Sequence, residues 1–170
     1  EKVWAVEMVG ESADSLNLDI LFLLDATGSM GDEIAELKDN IRVIASRINQ
    51  STAAPDVQYG MVTYRDRGEE FLTQVYPFTD NVNQFEADLL AVRAQAGDDY
   101  AEDLNQGLSD AIHEVEWRDG NTISLIFLVA DAPPHLDYGH QYHYSEHLYE
   151  PNDRAIKMFE IARTGLDEQG

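Results

Sequence analysis

Side chains that carry oxygen follow the first long apolar run of the chain. Asp25, Thr27 and Ser29 stand at alternate positions directly after the run Leu18–Leu24, with Gly28 among them. One carboxylate and two hydroxyls on a tight turn can converge on a single hard cation, because Mg²⁺, Mn²⁺ and Ca²⁺ prefer oxygen ligands. The pattern predicts a divalent-cation site in this loop.

Two further acidic positions are candidates for the same ion. Gly97-Asp98-Asp99 precedes a predicted helix, and Asp131 directly follows a second apolar run, Thr122–Ala130. In open α/β sheets, ligands bind where the carboxyl ends of the strands open into loops. We therefore expect Asp131 and one residue of the Asp98-Asp99 pair to face the same crevice as Asp25.

The elements that position these residues alternate between buried strands and amphipathic helices. Apolar residues at helical spacing predict a long helix over Ile34–Ile48, and further helices are predicted within Val82–Val92, Leu104–Val115 and Ala155–Leu166. Strands are predicted over Leu18–Leu24, Val57–Tyr64, Phe71–Tyr76 and Thr122–Ala130, the second and third of them joined by a hairpin over Arg65–Gly68. This alternation is typical of a doubly wound α/β sheet.

Composition limits the classes of function that the chain can have. Its 170 residues contain 11 Lys and Arg against 33 Asp and Glu, which gives a net charge of −22. So acidic a surface repels phosphate backbones and anionic lipids, and this argues against a general nucleic-acid or membrane-surface role. The chain has no cysteine, which excludes disulfides, thiolate zinc sites and cysteine nucleophiles. Its apolar runs fall far short of the roughly 20 residues that a membrane-spanning helix needs.

Asp25-x-Thr27-x-Ser29 after an apolar strand, with a distant strand-ending Asp131, resembles the von Willebrand factor type A domain. The metal-ion-dependent adhesion site of that family follows the pattern Asp-x-Ser/Thr-x-Ser. The resemblance runs from about Leu18 to Leu166. Tyr64-Arg65-Asp66 and Asp131-Ala132-Pro133-Pro134-His135 resemble a microbial branch that is also found fused to alpha-type kinases.

The resemblance implies a fold and a ligand set. The implied fold is a mostly parallel, doubly wound α/β sheet with helices on both faces and one antiparallel edge strand. The implied metal ligands are Asp25, Thr27, Ser29, Asp99 and Asp131. Adhesion-type members carry Thr where Asp99 stands here, and Asp98 is the alternative aligned residue, since Ala101 occurs where the branch has Pro. A third carboxylate should tighten metal binding and make the metal a weaker acceptor for a ligand carboxylate.

The family's architecture extends beyond the predicted elements by one strand and one helix. We expect residues 1–17 to be an extension or an edge strand, and residues 18–170 to form the family's domain. The strand that ends at Ala130 is expected to have a free edge. Either the chain is a piece of a longer polypeptide, or the segment Val3–Val9 fills an edge.

Each candidate residue also has a purely structural interpretation. Ser29 and Asp32 are natural helix caps, and Asp98-Asp99 can be a turn. Arg65 and Asp66 are interpreted as hairpin-turn residues. His143 and His147 have the spacing of a helical zinc site, but Tyr138-Gly139 and Pro151 indicate a surface loop that also contains His135 and His140.

The predicted function is a divalent-metal-dependent binding module for adhesion or complex assembly. Its cation is Mg²⁺ in preference to Mn²⁺ or Ca²⁺, and its partner is a protein that binds through an acidic side chain, with no nucleic-acid binding and no membrane insertion. One alternative is a Mg²⁺-dependent phosphoryl-transfer enzyme with Asp25 as the nucleophile, a chemistry that also requires a lysine at the site. The other alternative is a structural domain with a stabilising metal.

Overall fold

The structure is a computed structural model that describes residues 16–50, 55–95, 103–131 and 156–162. Residues 160–162 are described by their backbone alone. A 3₁₀ turn, Gly28–Met30, joins the first strand to the first helix. The strands and helices in chain order are β1 (Asn17–Asp25), α1 (Gly31–Asn49), β2 (Asp56–Tyr64), β3 (Thr73–Thr79), α2 (Val82–Ala91), α3 (Leu104–His113), β4 (Thr122–Ala130) and β5 (Ile156–Ala162).

The five described strands form one sheet in the order β3-β2-β1-β4-β5. Strand β1 lies in the centre and pairs in parallel with β2 and β4, whereas β3 pairs antiparallel with β2 at one edge. A central parallel strand is covered on both faces, which is why β1 is almost continuously apolar. The predicted fold class, a mostly parallel sheet with one antiparallel edge strand, is confirmed.

Helices cover both faces of the sheet, and β1 alternates between the two hydrophobic cores. Phe22 and Leu24 pack on one side against residues of α1 and α2, whereas Leu21 and Leu23 pack on the other side against residues of α3. Helix α3 lies so close to β2 that a Cβ at Gly107 would be 2.9 Å from the Tyr64 ring. No helix in the described ranges is long and apolar enough to cross a membrane.

The predicted last helix is wrong over the part of it that the structure describes. Residues Ile156–Ala162 form β5, which pairs in parallel with β4 from Ser124 to Ala130. The edge of β4 that was expected to be free is therefore occupied by β5. The expectation that residues 3–9 fill an edge lies outside the described residues.

The predicted hairpin between β2 and β3 is present, but the segment that joins the strands, residues 65–72, is longer than the predicted Arg65–Gly68. The turn lies at Arg67 and Gly68, where Gly68 adopts a φ of 92° that favours glycine. Arg65 and Asp66 lie in this joining segment, as predicted, and are buried at 3% and 8% exposure.

One arginine joins three segments at the amino end of the sheet. The Arg118 Nε donates to Asp19 Oδ1 over 2.7 Å, and its Nη2 donates to the carbonyls of Leu18 and Asp56 over 3.2 and 2.9 Å. The Arg118 backbone N–H also donates to Asp19 Oδ2 over 2.9 Å. Asp19 is fully buried, so these contacts offset the cost of desolvating its carboxylate.

We expect Arg118→Met to lower the free energy of unfolding by about 3 kcal/mol, because it leaves the Asp19 carboxylate buried without its charged partner. Urea denaturation followed by circular dichroism measures this loss. Arg47→Met, at an exposed position in the last turn of α1, is the control and should change stability by less than about 0.5 kcal/mol. Equal stability of both variants would contradict the assigned role of Arg118.

Candidate metal centre

The candidate centre lies at the carboxyl end of β1. Asp25 is the last residue of that strand and pairs in register with Tyr64 of β2. The next residue, Ala26, donates its N–H to the Tyr64 carbonyl over 2.9 Å, so the loop leaves the sheet along β2. Asp25 is fully buried, as expected for the end of a strand that is covered on both faces.

Hydrogen bonds within the loop orient the first carboxylate. The Thr27 N–H and the Thr27 hydroxyl both donate to Asp25 Oδ1, over 2.9 and 2.6 Å. The hydroxyl oxygens of Thr27 and Ser29 are 3.4 Å apart. Thr27 is buried whereas Ser29 is exposed, so the oxygen donors run from the interior to the surface.

Strand β4 brings the second carboxylate to the same edge. Leu24 of β1 pairs with Val129 of β4, and Asp131 is the first residue after β4. The Ser29 hydroxyl donates to Asp131 Oδ1 over 3.1 Å, although 102 positions separate the two residues in the chain. The structure therefore brings together four of the predicted site residues: Asp25, Thr27, Ser29 and Asp131.

The second oxygen of Asp25 is buried without a hydrogen-bond partner among the described residues. Burial raises the pKa of the Asp25 carboxyl from its ordinary 3.8 to about 6. The hydrogen bonds from Thr27 oppose this rise in pKa, whereas the charges of Asp131 and Glu69 add to it. A desolvated carboxylate with a free lone pair beside a second carboxylate favours a cation.

The donor set fits a hard divalent cation. It consists of two carboxylates and two hydroxyls, with no nitrogen or sulfur among these four side chains, and hard cations prefer oxygen. Within the described ranges, no three Asp, Glu, His or Cys side chains form a group that could hold a metal. The centre therefore depends on hydroxyls and water as well as on its two described carboxylates.

The alternative interpretation of Ser29 as a helix cap is wrong. The 3₁₀ turn and α1 begin at Gly28 and Gly31, and neither has a side-chain hydrogen bond at its N-cap. The Ser29 hydroxyl instead points to Asp131 across the crevice. The remaining candidates, Asp98 and Asp99, and all four of the loop histidines lie outside the described residues.

Two residues near the centre were missed as functional candidates. Glu69 is close enough to Asp25 to raise the pKa of its carboxyl, and only 10% of the Glu69 side chain is exposed. The Arg65 Nε donates to the carbonyl of Ala26, inside the Asp25–Ser29 loop, over 3.2 Å. The sequence does contain a signal for both residues: Arg65 directly follows the buried strand β2, and the acidic Glu69 stands four positions later.

Comparison with known proteins gives the family. A family model of the von Willebrand factor A domain matches residues 19–147, more than half of the chain. The chain belongs to the von Willebrand factor A domain family. This matched range contains all the predicted ligands of the candidate centre.

Two relatives match this chain over part of a longer protein. An alpha-protein kinase, vwkA, of Dictyostelium discoideum is 28% identical over 146 residues, which are 85% of this chain and 23% of the kinase. An ariadne-like RING finger protein of Acanthamoeba polyphaga mimivirus is 26% identical over 118 residues, 69% of this chain and 11% of that protein. The chain thus spans less than a quarter of the length of either relative.

Solved structures show the same fold at low sequence identity. Proximal thread matrix protein 1 from the mussel byssus, in a form titled as having a zinc-occupied MIDAS motif, matches with a TM-score of 0.67 and 19% identity. That match covers 89% of this chain and 37% of the mussel protein. The pilus adhesin SpaC from Lactobacillus rhamnosus GG, in an open conformation, matches with a TM-score of 0.54 and 18% identity, over 71% of this chain and 15% of the adhesin.

We expect Asp25→Asn to stabilise the metal-free domain at neutral pH. The neutral amide keeps the oxygen that accepts from Thr27 and removes the desolvated charge. The folded protein holds the Asp25 proton up to a pKa of about 6, against an ordinary 3.8. The stability that the neutral carboxyl contributes is therefore present below 3.8 and is lost as the pH rises through about 6.

Thermal melts in EDTA between pH 4 and pH 8 test this expectation. The variant should melt above the wild type at pH 8, and the difference should shrink as the pH falls through 6. Asp32→Asn, at an exposed position in the first turn of α1, is the control for the general effect of removing one negative charge. A variant that melts below the wild type at pH 8 would contradict the assigned cost of the Asp25 charge.

Proposed function

We propose that this domain is a protein-binding module that depends on a divalent cation at the candidate centre. The observation that carries the proposal is the buried Asp25 Oδ2, which has no partner among the described residues and lies in a loop whose Ser29 contacts Asp131. A coordinated cation would balance both carboxylates and fill the unused lone pairs. Members of the von Willebrand factor A family generally act as interaction modules, which supports the same function.

The proposed ligands are the predicted five, with different modes of contact. Ser29 is exposed and Asp131 is partly buried, so both suit direct coordination at the mouth of the crevice. The Thr27 hydroxyl already donates to Asp25 Oδ1. This supports contact of Thr27 and Asp25 with the cation through ordered water, or direct contact through the unpartnered Asp25 Oδ2. Asp99 stays a prediction, because it lies outside the described residues.

Mg²⁺ is the proposed cation. Mg²⁺ retains waters and demands octahedral geometry, which suits a small set of carboxylates and hydroxyls better than a seven-oxygen Ca²⁺ cage. The mussel structure is titled as zinc-occupied, but Zn²⁺ favours nitrogen and sulfur ligands that the four described donors do not offer. Mn²⁺ shares the oxygen preference of Mg²⁺ and is the practical probe.

The proposed partner is a protein that presents an acidic side chain. The exposure of Ser29 and the partial exposure of Asp131 support a cation that an external ligand could reach. A domain of net charge −22 repels an acidic partner elsewhere on its surface, so the bound cation would supply the local attraction. The pilus adhesin among the structural neighbours supports an adhesion-type function.

A phosphoryl-transfer enzyme with Asp25 as nucleophile is the second candidate, favoured by the position of Asp25 at a strand end. Such an enzyme needs a lysine beside the phosphoryl group. The Lys38 Nζ instead donates to the Val92 carbonyl over 2.8 Å, and Lys157 lies in the edge strand β5. Incubation with beryllofluoride distinguishes the two functions, because a stable adduct at Asp25 would support the enzyme.

We expect isothermal titration calorimetry to detect one Mg²⁺ or Mn²⁺ per chain in the wild type and none in Asp25→Ala. Ser29→Ala should bind more weakly, because it loses an exposed donor. At a metal concentration about 100 times the dissociation constant, binding adds roughly 2.7 kcal/mol of stability, which raises the melting midpoint above that in EDTA. Arg47→Met is the control for an unrelated surface change. Equal metal binding by the wild type and Asp25→Ala would contradict the assignment.

We expect Asp99→Thr to weaken metal binding, because one carboxylate is replaced by a hydroxyl. The expected loss in the free energy of metal binding is about 1 kcal/mol or more, because nearby opposite charges interact by several kcal/mol at an effective dielectric near 20 before desolvation is subtracted. The same variant should bind acetate or an acidic peptide more readily at saturating metal, since the cation keeps more of its charge. Asp98→Thr is the matched control at the neighbouring position. If neither change alters metal affinity, the segment that contains Asp98 and Asp99 does not reach the ion.

A further inference from the structure

A buried guanidinium group contacts the Asp25–Ser29 loop, which carries the proposed metal ligands. The Arg65 side chain is only 4% exposed and follows β2 at the carboxyl edge of the sheet. Its Nε donates to the Ala26 carbonyl over 3.2 Å, and its Nη2 donates to the Arg93 carbonyl over 2.9 Å. The Phe71 ring lies against the guanidinium, whose carbon is 4.3 Å from the ring centre. Arg65 therefore connects two backbone segments through one rigid group.

The two connected segments both lead to predicted metal ligands. Ala26 stands between Asp25 and Thr27, and Arg93 lies six positions before Asp99 in the sequence. The Ala26 carbonyl also accepts the Gln95 N–H over 3.2 Å, so this carbonyl receives bonds from both Arg65 and the 93–95 segment. Among the described residues, these contacts at Ala26 connect the Asp25–Ser29 loop to residues 93–95.

The charge of Arg65 argues against a simple electrostatic role. Its carboxylate neighbours, Glu69 and Glu70, are each 3.8 Å away, whereas its closer contacts are the two carbonyls. A cation placed near a second cation is repelled by it, so the Arg65 charge by itself would weaken metal binding. The geometry and the charge therefore predict opposite effects when the side chain is removed.

We propose that Arg65 is a positioning residue of the metal centre: it holds the Ala26 carbonyl and residues 93–95 together, and thereby fixes the Asp25–Ser29 loop in the conformation that binds the ion. The proposal rests on the proposed function for its metal readout. The planar guanidinium with several fixed donors suits this role, because a lysine ammonium cannot reach two carbonyls in the same geometry.

Metal affinity provides the first test. Arg65→Met keeps a similar apolar stem and removes both hydrogen bonds and the charge, whereas Arg65→Lys keeps the charge alone. Both should lower Mn²⁺ affinity in calorimetry by about tenfold or more, as is typical for residues that orient metal ligands. Unchanged or tighter Mn²⁺ binding by Arg65→Met would overturn the proposal, because it would show that the hydrogen bonds of Arg65 do not support the metal site.

Arg118→Met is the matched control. Arg118 is an arginine that also bonds two backbone carbonyls, but it lies at the opposite, amino end of the sheet. The Arg118→Met variant should be less stable than the wild type but should bind Mn²⁺ with the same affinity. The affinities are measured at a temperature at which every variant is folded. A similar loss of affinity in Arg118→Met would overturn the proposal, since general destabilisation would then explain the effect of Arg65.

Amide hydrogen exchange in EDTA provides a readout without metal. In Arg65→Lys and Arg65→Met, the Ala26 and Gln95 amides should exchange at least about tenfold faster relative to the Asn17 amide, which bonds Asn121 at the other end of the sheet. Unchanged relative protection would overturn the proposal. If the wild type binds no metal and these amides still lose protection, the proposed function fails while the positioning of the loop by Arg65 stands.

Discussion

A single desolvated carboxylate determines much of the chemistry of this domain. Asp25 ends a strand that is covered by neighbouring strands on both sides and by helices on both faces, so its side chain is withdrawn from water. Thr27 satisfies one of its oxygens, and the other has no partner within the described part of the chain. A buried charge with an unused lone pair costs free energy unless a positive charge approaches it. The proposed cation follows from this constraint.

The sheet also decides which residues can share the site. Parallel pairing in register places the ends of β1 and β4 at the same edge, so that Ser29 and Asp131 meet across 102 positions of sequence. Arginines occupy both ends of this sheet. Arg118 compensates a buried carboxylate, Asp19, at the amino end, whereas Arg65 bonds backbone carbonyls at the carboxyl end. At the amino end, the buried carboxylate is therefore neutralised by an ion pair. At the carboxyl end, the Asp25 carboxylate has no cationic partner among the described residues and is available to a cation.

The sequence predicts the central strands and the long helix well, because their patterns have one interpretation. The run before Asp25 is too apolar for anything but a covered strand, and Ile34–Ile48 has a clear helical period. The segment Ile156–Ala162 is ambiguous, since Ala155, Met158, Phe159 and Ala162 also fit a helical spacing. Pairing with β4 decides the structure: Ile156 and Met158 pack on one face of the sheet, while the Phe159 ring lies 5.5 Å from that of Phe127 on the other face. Such long-range pairing is not visible in a local pattern.

The candidate site was predictable as far as its side chains carry a motif. Asp25, Thr27, Ser29 and Asp131 are found by type, spacing and position at strand ends. The role of Arg65 was not predictable, because its partners are backbone carbonyls. Every residue has a backbone carbonyl, so the sequence does not indicate which carbonyls a side chain will bond.

The most direct test of the central claim is a crystal structure of the domain soaked in Mn²⁺, with the ion located by its anomalous scattering. The account predicts one strong peak in the crevice between Ser29 Oγ and Asp131, within direct or single-water distance of Asp25 Oδ2. The absence of a peak in that crevice at saturating Mn²⁺, with Asp25 Oδ2 still unpartnered, would contradict the account.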